Sequence, residues 1–282
     1  MILYAKPYVD MKIEKLKERV KRLDKKPKLV IIRANNDEPS ERYIKNKIKK
    51  CEEVGISSEI IRYTENITQE EIKNKIEELN SDENVTGILL QLPIYNHLDD
   101  KRLLDEICPY KDPDSLSSWN LGKIIKNEIT VSSCTPNGCI QLLKYYNVDL
   151  KGKDCLIIND SVIVGRPLAM LLLNERATPT IAHIHTKNLK EKIKNADIVF
   201  TATGQLRFLN ASDFSPSTII VDISINVNEQ GKLEGDVTKI DYDKLLIKKC
   251  SITPVPGSIG QTTVISLIEN VVRLAERNKK NE

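Results

Sequence analysis

Short, unbroken apolar runs alternate with amphipathic stretches of helical length, and this alternation limits the chain's fold more than any other property. Leu29-Val30-Ile31-Ile32 follows Pro27, and so apolar a run suits a strand covered on both faces, as in a parallel sheet. Ahead of it, Val9, Ile13, Leu16, Val20 and Leu23 step by four, three, four and three, which predicts an amphipathic helix. Behind it, a helix carrying Tyr43 and Lys47 ends at Gly55, a natural residue just past a helix end. Ile56 to Tyr63 reads as the next strand. Thr68-Gln-Glu-Glu71 is a capping box opening a helix to about Asn80. Val85 to Leu92 is a further strand closed by Pro93, and Asp99 starts a helix reaching Ile107. Such an order implies a parallel sheet with helices on both faces.

From Lys111 to Thr135 the periodicity weakens and turn residues accumulate, which places a domain boundary near Thr135. A second alternating unit follows. Helices are expected at about Asn137–Tyr146 and Val164–Asn174, with strands at Cys155–Ile158, Thr180–Ala182, Ile198–Ala202 and Ile219–Asp222. A last helix, about Thr262 to Asn278, carries Val264, Leu267, Ile268, Val271 and Leu274 on one face. The fold class is therefore α/β in two domains, and 282 residues suffice for two cores. A net charge of +3 spread along helices does not argue for nucleic acid. No apolar run approaches the roughly 20 residues of a membrane span. The N-terminus lacks a signal-peptide pattern, and the scattered cysteines fit reduced thiols, so a cytoplasmic protein is expected. Cys134 and Cys139 have no nearby His, so no metal is expected.

Tyr43 and Lys47, four residues apart, share a helix face for which Ser40 is the expected N-cap. Lys45, Lys49 and Lys50 would crowd Lys47, and a crowded lysine can exchange its proton near neutral pH. The ordinary alternative is a solvated basic face. Gln91 ends a buried strand, where ligands gather in open α/β sheets; it could orient Lys47 or simply cap the strand. Asp114 in Lys111-Asp112-Pro113-Asp114 could accept from an N–H-rich heterocycle or form an Asx turn. Asn159-Asp160-Ser161-Val-Ile-Val164-Gly165 lies between a strand and a helix, where a Rossmann unit cradles pyrophosphate, yet it lacks the full G-x-G-x-x-G. Thr203 and Ile225 follow later strands and could line the same crevice. Thr253-Pro-Val-Pro256-Gly257-Ser-Ile-Gly260 fixes a backbone shape suited to a ligand wall or a rigid turn. His183 and His185 flank a strand end, and neither is assigned a catalytic role.

Taken in order, these segments resemble the bifunctional methylenetetrahydrofolate dehydrogenase/methenyltetrahydrofolate cyclohydrolase family. The resemblance rests on Ser40-x-x-Tyr43-x-x-x-Lys47, Gly87-Ile-Leu-Leu-Gln91-Leu-Pro93, Lys111-Asp-x-Asp114 and Cys134-Thr-Pro-x-Gly138. It continues through Ser161-x-x-Val164-Gly165-x-Pro167, Gly235-Asp236-Val237 and Ile252-Thr-Pro-Val-Pro-Gly257. It implies a folate-binding catalytic domain over 1–135, onto which the helix at about 262–282 packs back, and a Rossmann-like NAD(P)-binding domain over 136–261. A folate cleft between the two domains is implied as well. Lys47 would handle the proton of the cyclohydrolase step, with Gln91 tuning it. Tyr43 would pack on the folate rings and Asp114 would hold the pterin, with Pro256 and Gly257 also at the substrate. Asn159, Asp160, Ser161, Val164, Gly165, Ile184, Thr203 and Ile225 would meet the cofactor. A tetrahydrofolate substrate and a homodimer are implied in the same way.

The chain departs from the family's pattern at particular places. Asn159 and Asp160 stand where a Gly followed by Arg or Ala is usual, and Ile184 where several members carry Ser. The cofactor expected is NADP, with NAD admitted by Asp160 and Ile184. Ser115, Ser224 and Ser258 replace glycines, and Gln261 replaces a proline. A cyclohydrolase without dehydrogenase activity and a non-turnover folate- or nucleotide-binding paralogue are the competing expectations.

Overall fold

Residues 1–281 are described in a computed structural model, with side chains except at Pro39 and 278–281; Glu282, the end of the range expected for the last helix, lies outside them. The chain divides into two compact units. One comprises Asp10–Cys134 with the chain from Val264 onward; the other joins Met1–Val9 to Thr135–Thr263.

After α1 (Lys6–Lys21), the first of these units alternates β1 (Lys28–Arg33), α2 (Glu38–Val54), β2 (Ser57–Arg62), α3 (Gln69–Ser81), β3 (Gly87–Gln91) and α4 (Asp100–Glu106). The three strands form a parallel sheet in the order β2-β1-β3. The run Leu29–Ile32 is wholly buried in its centre, as so apolar a sequence requires. Val30 and Ile32 of β1 and Ile88 and Leu90 of β3 pack with Ile72, Ile76 and Leu79 of α3 and with Leu103 and Leu104 of α4. Thr68 and Glu71 form the expected capping box, and Gly55 closes α2 at φ +96°. The N-cap of α2 is Asp37, not Ser40: the Asp37 carboxylate accepts from Ser40 N–H at 2.8 Å and from its hydroxyl at 2.7 Å. Proline in the first turn carries no N–H and starts the helix earlier than Ser40. The weakly periodic stretch contains a further helix, α5 (Ser118–Ile125), capped by Ser117.

The second unit carries α6 (Cys134–Tyr145), β4 (Asp154–Ile158), α7 (Gly165–Asn174), β5 (Thr178–Ala182), α8 (Leu189–Asn195), β6 (Ile198–Thr201) and β7 (Ile219–Asp222). A small hairpin of β8 (Asn226–Val227) and β9 (Leu233–Glu234), then α9 (Tyr242–Ile247) and β10 (Ser251–Ile252), complete it. Its parallel sheet runs β10-β7-β6-β4-β5, so strand order reverses between β4 and β6, the point at which such sheets bind ligands. The first nine residues belong here rather than with the residues up to 135: Ile2 bridges Ile252, and Leu3 N–H donates to the Ile252 carbonyl at 2.8 Å. The last helix, α10, spans Ile259–Asn281. Beyond Val264 it meets α1 through ion pairs from Lys12 to Glu269 at 2.8 Å and from Arg19 to Glu276 at 2.8 Å.

Candidate functional site

The C-terminal end of β3 meets a half-buried face of α2 in a lysine–amide pair. Lys47 Nζ donates to Gln91 Oε1 at 2.9 Å. The Gln91 amide nitrogen donates in turn to the Leu92 carbonyl at 2.7 Å, so its oxygen has to face the lysine. Gln91 is buried and Lys47 half-buried, which places the ammonium at the mouth of the sheet. One turn earlier, burial raises the pKa of the Tyr43 phenol and keeps it neutral. Two of the three lysines expected to crowd Lys47 have acidic partners of their own. Lys50 pairs with Glu53 at 2.7 Å and Lys45 lies 4.0 Å from Glu41, while Lys49 is exposed to water.

Asp114 lies within a tightly held turn. Buried Asp112 accepts from Ser115 N–H at 2.8 Å, from Ser117 N–H at 3.0 Å and from the Asn120 amide at 3.0 Å. Ser115 sits at φ +57°, which explains why the family's pattern prefers Gly there. Its hydroxyl donates to the Val131 carbonyl at 3.2 Å. Cys134 lies against Asp114: burial, then the charge of Asp114 and a hydrogen bond to it, raise the thiol, while Lys47 lowers it. Lys47, Gln91, Asp114 and Cys134 are thus one cluster, whereas Tyr43 shares only the helix face. Asn270 on α10 was not singled out by its sequence context. Almost fully buried, its amide donates to the Pro113 carbonyl at 2.8 Å and to the Ser132 carbonyl at 2.7 Å, on both sides of this cluster.

In the other unit, the loop between β4 and α7 reaches the strand-order reversal. Asn159 organises it: Oδ1 accepts from Ser161 N–H at 2.9 Å, from Ser161 Oγ at 2.7 Å and from Gly165 N–H at 3.0 Å. Its Nδ2 donates to the Ala202 carbonyl at 2.8 Å, tying the β4 loop to the end of β6. A Cβ at Gly165 would overlap the Asn159 carbonyl, so only glycine permits this approach of helix to strand. The N–H groups of Asp160, Val162 and Ile163 have no protein acceptor among the described residues, and all three residues are exposed. Such a loop suits a phosphate. Val164 N–H donates to Ser161 Oγ at 3.1 Å, and Arg166 Nε donates to the Asp160 carbonyl at 2.9 Å. Ile184, 90% exposed, stands beyond the end of β5.

Thr203 follows β6 and exposed Ile225 follows β7, so both lie at the carboxyl edge of the same sheet. Ser224 shows what its hydroxyl adds in place of glycine: it accepts from Gly204 N–H at 3.0 Å. Gly257, at φ +124°, accepts through its carbonyl from Ala5 N–H at 3.0 Å, and Ser258 Oγ donates to the Leu3 carbonyl at 2.9 Å. Pro256 beside them is exposed. Among the described residues no cluster of ligating side chains could hold a metal, and no helix is long and apolar enough to cross a membrane.

A parallel five-stranded sheet with a donor-lined loop at its reversal, in a chain that also sets a lysine beside an amide at a strand end, defines a dinucleotide-linked enzyme of the α/β class. The catalytic-domain model for tetrahydrofolate dehydrogenase/cyclohydrolase matches residues 3–114, and the corresponding NAD(P)-binding-domain model matches residues 133–279. The chain belongs to the tetrahydrofolate dehydrogenase/cyclohydrolase family. It is 42% identical to the bifunctional protein FolD of Agathobacter rectalis over 267 residues, covering 94% of this chain and 95% of the other. The crystal structure of the bifunctional FolD enzyme from Campylobacter jejuni matches with a TM-score of 0.94 at 38% identity, covering 99% of each chain. The Trypanosoma brucei enzyme, solved with NADP cofactor and an inhibitor, matches with a TM-score of 0.92 at 27% identity over 99% of this chain and 98% of that one.

Proposed function

We propose that the chain oxidises 5,10-methylenetetrahydrofolate to 5,10-methenyltetrahydrofolate and hydrolyses the product to 10-formyltetrahydrofolate. The observation that carries this reading is the Lys47–Gln91 hydrogen bond of 2.9 Å, in a cluster that also includes Asp114. In the hydrolytic step a water oxygen adds to the cationic bridging carbon and loses a proton; the bond from that carbon to one ring nitrogen then breaks as the nitrogen takes up a proton and the remaining hydroxyl proton leaves, so the formyl carbonyl forms and one proton is released overall. Lys47 is the group within reach to hold and return that proton, a role worth about 10²–10⁴ in rate. Gln91 fixes where the lysine nitrogen sits. Tyr43 offers a neutral aromatic face to the folate rings, and Asp114 accepts from the pterin's N–H groups.

The Asn159–Gly165 loop with Thr203, Ile225 and Ile184 would hold NADP, which would supply the acceptor for the hydride leaving the methylene carbon. Support for its seat is the set of unpaired N–H groups at Asp160, Val162 and Ile163. One observation favours the competing cyclohydrolase-only reading: the Asn159 amide takes two N–H groups, of Ser161 and Gly165, that glycine would leave open. Absorbance assays decide between the two. Methylenetetrahydrofolate with NADP⁺ or NAD⁺ should develop the methenyl chromophore, and supplied methenyltetrahydrofolate should lose it. Hydrolysis without oxidation by either dinucleotide leaves only the cyclohydrolase. The same reading carries a homodimer in the cytoplasm, and light scattering on the purified chain checks the dimer.

A further inference from the structure

The Gly235-Asp236-Val237 turn has no part in the function just described, yet it is the most heavily hydrogen-bonded carboxylate centre in its unit. Two fully buried acids meet there. The Asp222 carboxylate at the end of β7 accepts from Asp236 N–H at 3.1 Å and from Val237 N–H at 2.8 Å. A Cβ at residue 235 would overlap that carboxylate, which accounts for the glycine. So held, Asp236 turns its own carboxylate under the carboxyl ends of β6 and β7. There it accepts from Thr201 Oγ1 at 2.6 Å, Thr203 N–H at 2.7 Å, Gln205 N–H at 3.2 Å and the Asn226 amide at 3.3 Å.

Those four donors come from two stretches, the end of β6 with the turn that follows it and the segment that follows β7. A carboxylate has about four lone-pair sites. All are used, so Asp236 has no capacity left for a ligand and acts through the backbone it holds. No cation pairs with it among the described residues. Its partners are all donors, so an amide in its place would set its own NH₂ against some of them. Gly204 N–H is taken by Ser224 Oγ at 3.0 Å, so each N–H of the Thr203–Gln205 turn points inward. The carbonyls of Thr203 and Gly204 are left without a protein donor. They suit a ligand that brings N–H donors, such as an amide or amino group of a dinucleotide.

We propose that Asp236 is the positioning residue of the dinucleotide face: it shapes the Thr203–Gln205 turn and anchors Asn226 beside Ile225, so dinucleotide affinity depends on it while hydrolysis at Lys47 does not. The inference rests on the NADP reading above. The test compares the full-length wild type with Asp236→Asn in three measurements: NADPH binding by fluorescence titration, hydrolysis of methenyltetrahydrofolate, and thermal unfolding. The dissociation constant should rise at least tenfold, with hydrolysis within twofold of wild type and unfolding still cooperative. An unchanged dissociation constant overturns the inference, as does a parallel loss of hydrolysis, which marks a general structural role. Should Asp236→Asn not fold, Thr201→Val and Asn226→Ala each remove one donor to the same carboxylate. Each should weaken NADPH several-fold, and wild-type affinity in both overturns the inference. A wild type that binds neither NADPH nor NADH instead overturns the dinucleotide reading itself, and the inference falls with it.

Discussion

The Lys47 cluster and the Asn159–Gly165 loop are built on opposite plans. At the first, side chains touch one another: Lys47 meets Gln91 directly, and Asp114 bears on Cys134. At the second, the groups offered to a ligand belong to the backbone, and side chains such as Asn159 and Asp236 work from behind to hold its shape. Replacing a side chain at the first therefore removes a chemical group. At the second it deforms a surface, and the effect is spread over several contacts.

The sharpest way to break this contrast is Lys47→Met. Methenyl hydrolysis should fall by about 10²–10⁴, while dinucleotide binding stays at the wild-type level. Wild-type hydrolysis in this variant would remove Lys47 from its assigned role.

The second plan makes a prediction about pH. Burial raises the Asp222 carboxyl from its ordinary 3.8 to about 7, helped by the charge of Asp236 and opposed by backbone N–H donors. A folded-state pKa above the unfolded one means that native Asp222 binds a proton which the unfolded chain releases. Its stabilising contribution is complete below pH about 4 and is lost as pH rises through about 7, with a size on the order of 4 kcal/mol at most. Urea unfolding of wild type and Asp222→Asn at pH 5 and pH 8 tests it. The stability gap between them should shrink as pH rises; a constant gap would show that Asp222 does not titrate in this range.

Asn270 shows how the first site depends on remote chain. Asn270→Leu leaves the buried carbonyls of Pro113 and Ser132 without a donor, a cost of about 1–3 kcal/mol. The Asp114 turn should loosen. We expect KM for both folate substrates to rise about tenfold with NADPH affinity unchanged; equal KM values would confine Asn270 to packing.

How much the sequence revealed follows the same division. Apolar runs and caps located the long helices and the strands β1 to β7, but not the two-residue strands β8 to β10, because the period of burial and the chemistry of helix ends are local and need several residues to show. Lys47 and Tyr43 were legible through a spacing of four on a helix, and Gln91 through its place at a strand end. Asp37 was missed as the cap of α2 because Ser40 looked equally competent. Helix α5 was missed because eight residues between turn signals give too short a period to read. The acidic partners of Lys45 and Lys50 escaped notice for another reason: ion pairs to Glu41 and Glu53 depend on rotamers that spacing does not fix. Asn270 lies 157 residues from Pro113 and Asp236 lies 35 from Thr201, so nothing local marks either.

The smallest expected effect concerns which dinucleotide the loop prefers. Asp160 is exposed, and its own N–H is one of the three unpaired donors at the reversal of the sheet. Its carboxylate therefore adds negative charge beside donors suited to phosphate. Two unit charges about 4 Å apart interact by about 4 kcal/mol at an effective dielectric of 20, but only about 1 kcal/mol in water. Exposure places Asp160 near the lower figure, further reduced by salt. Both dinucleotides carry the pyrophosphate, but NADP carries an additional phosphate, so the repulsion bears more on NADP. Asp160→Asn should tighten NADPH about three- to fivefold and NADH less, with the difference shrinking as salt is raised from about 0.05 to 0.5 M. Equal tightening of both would place the carboxylate near the shared pyrophosphate alone. No change in either would mean that Asp160 faces solvent away from the bound dinucleotide.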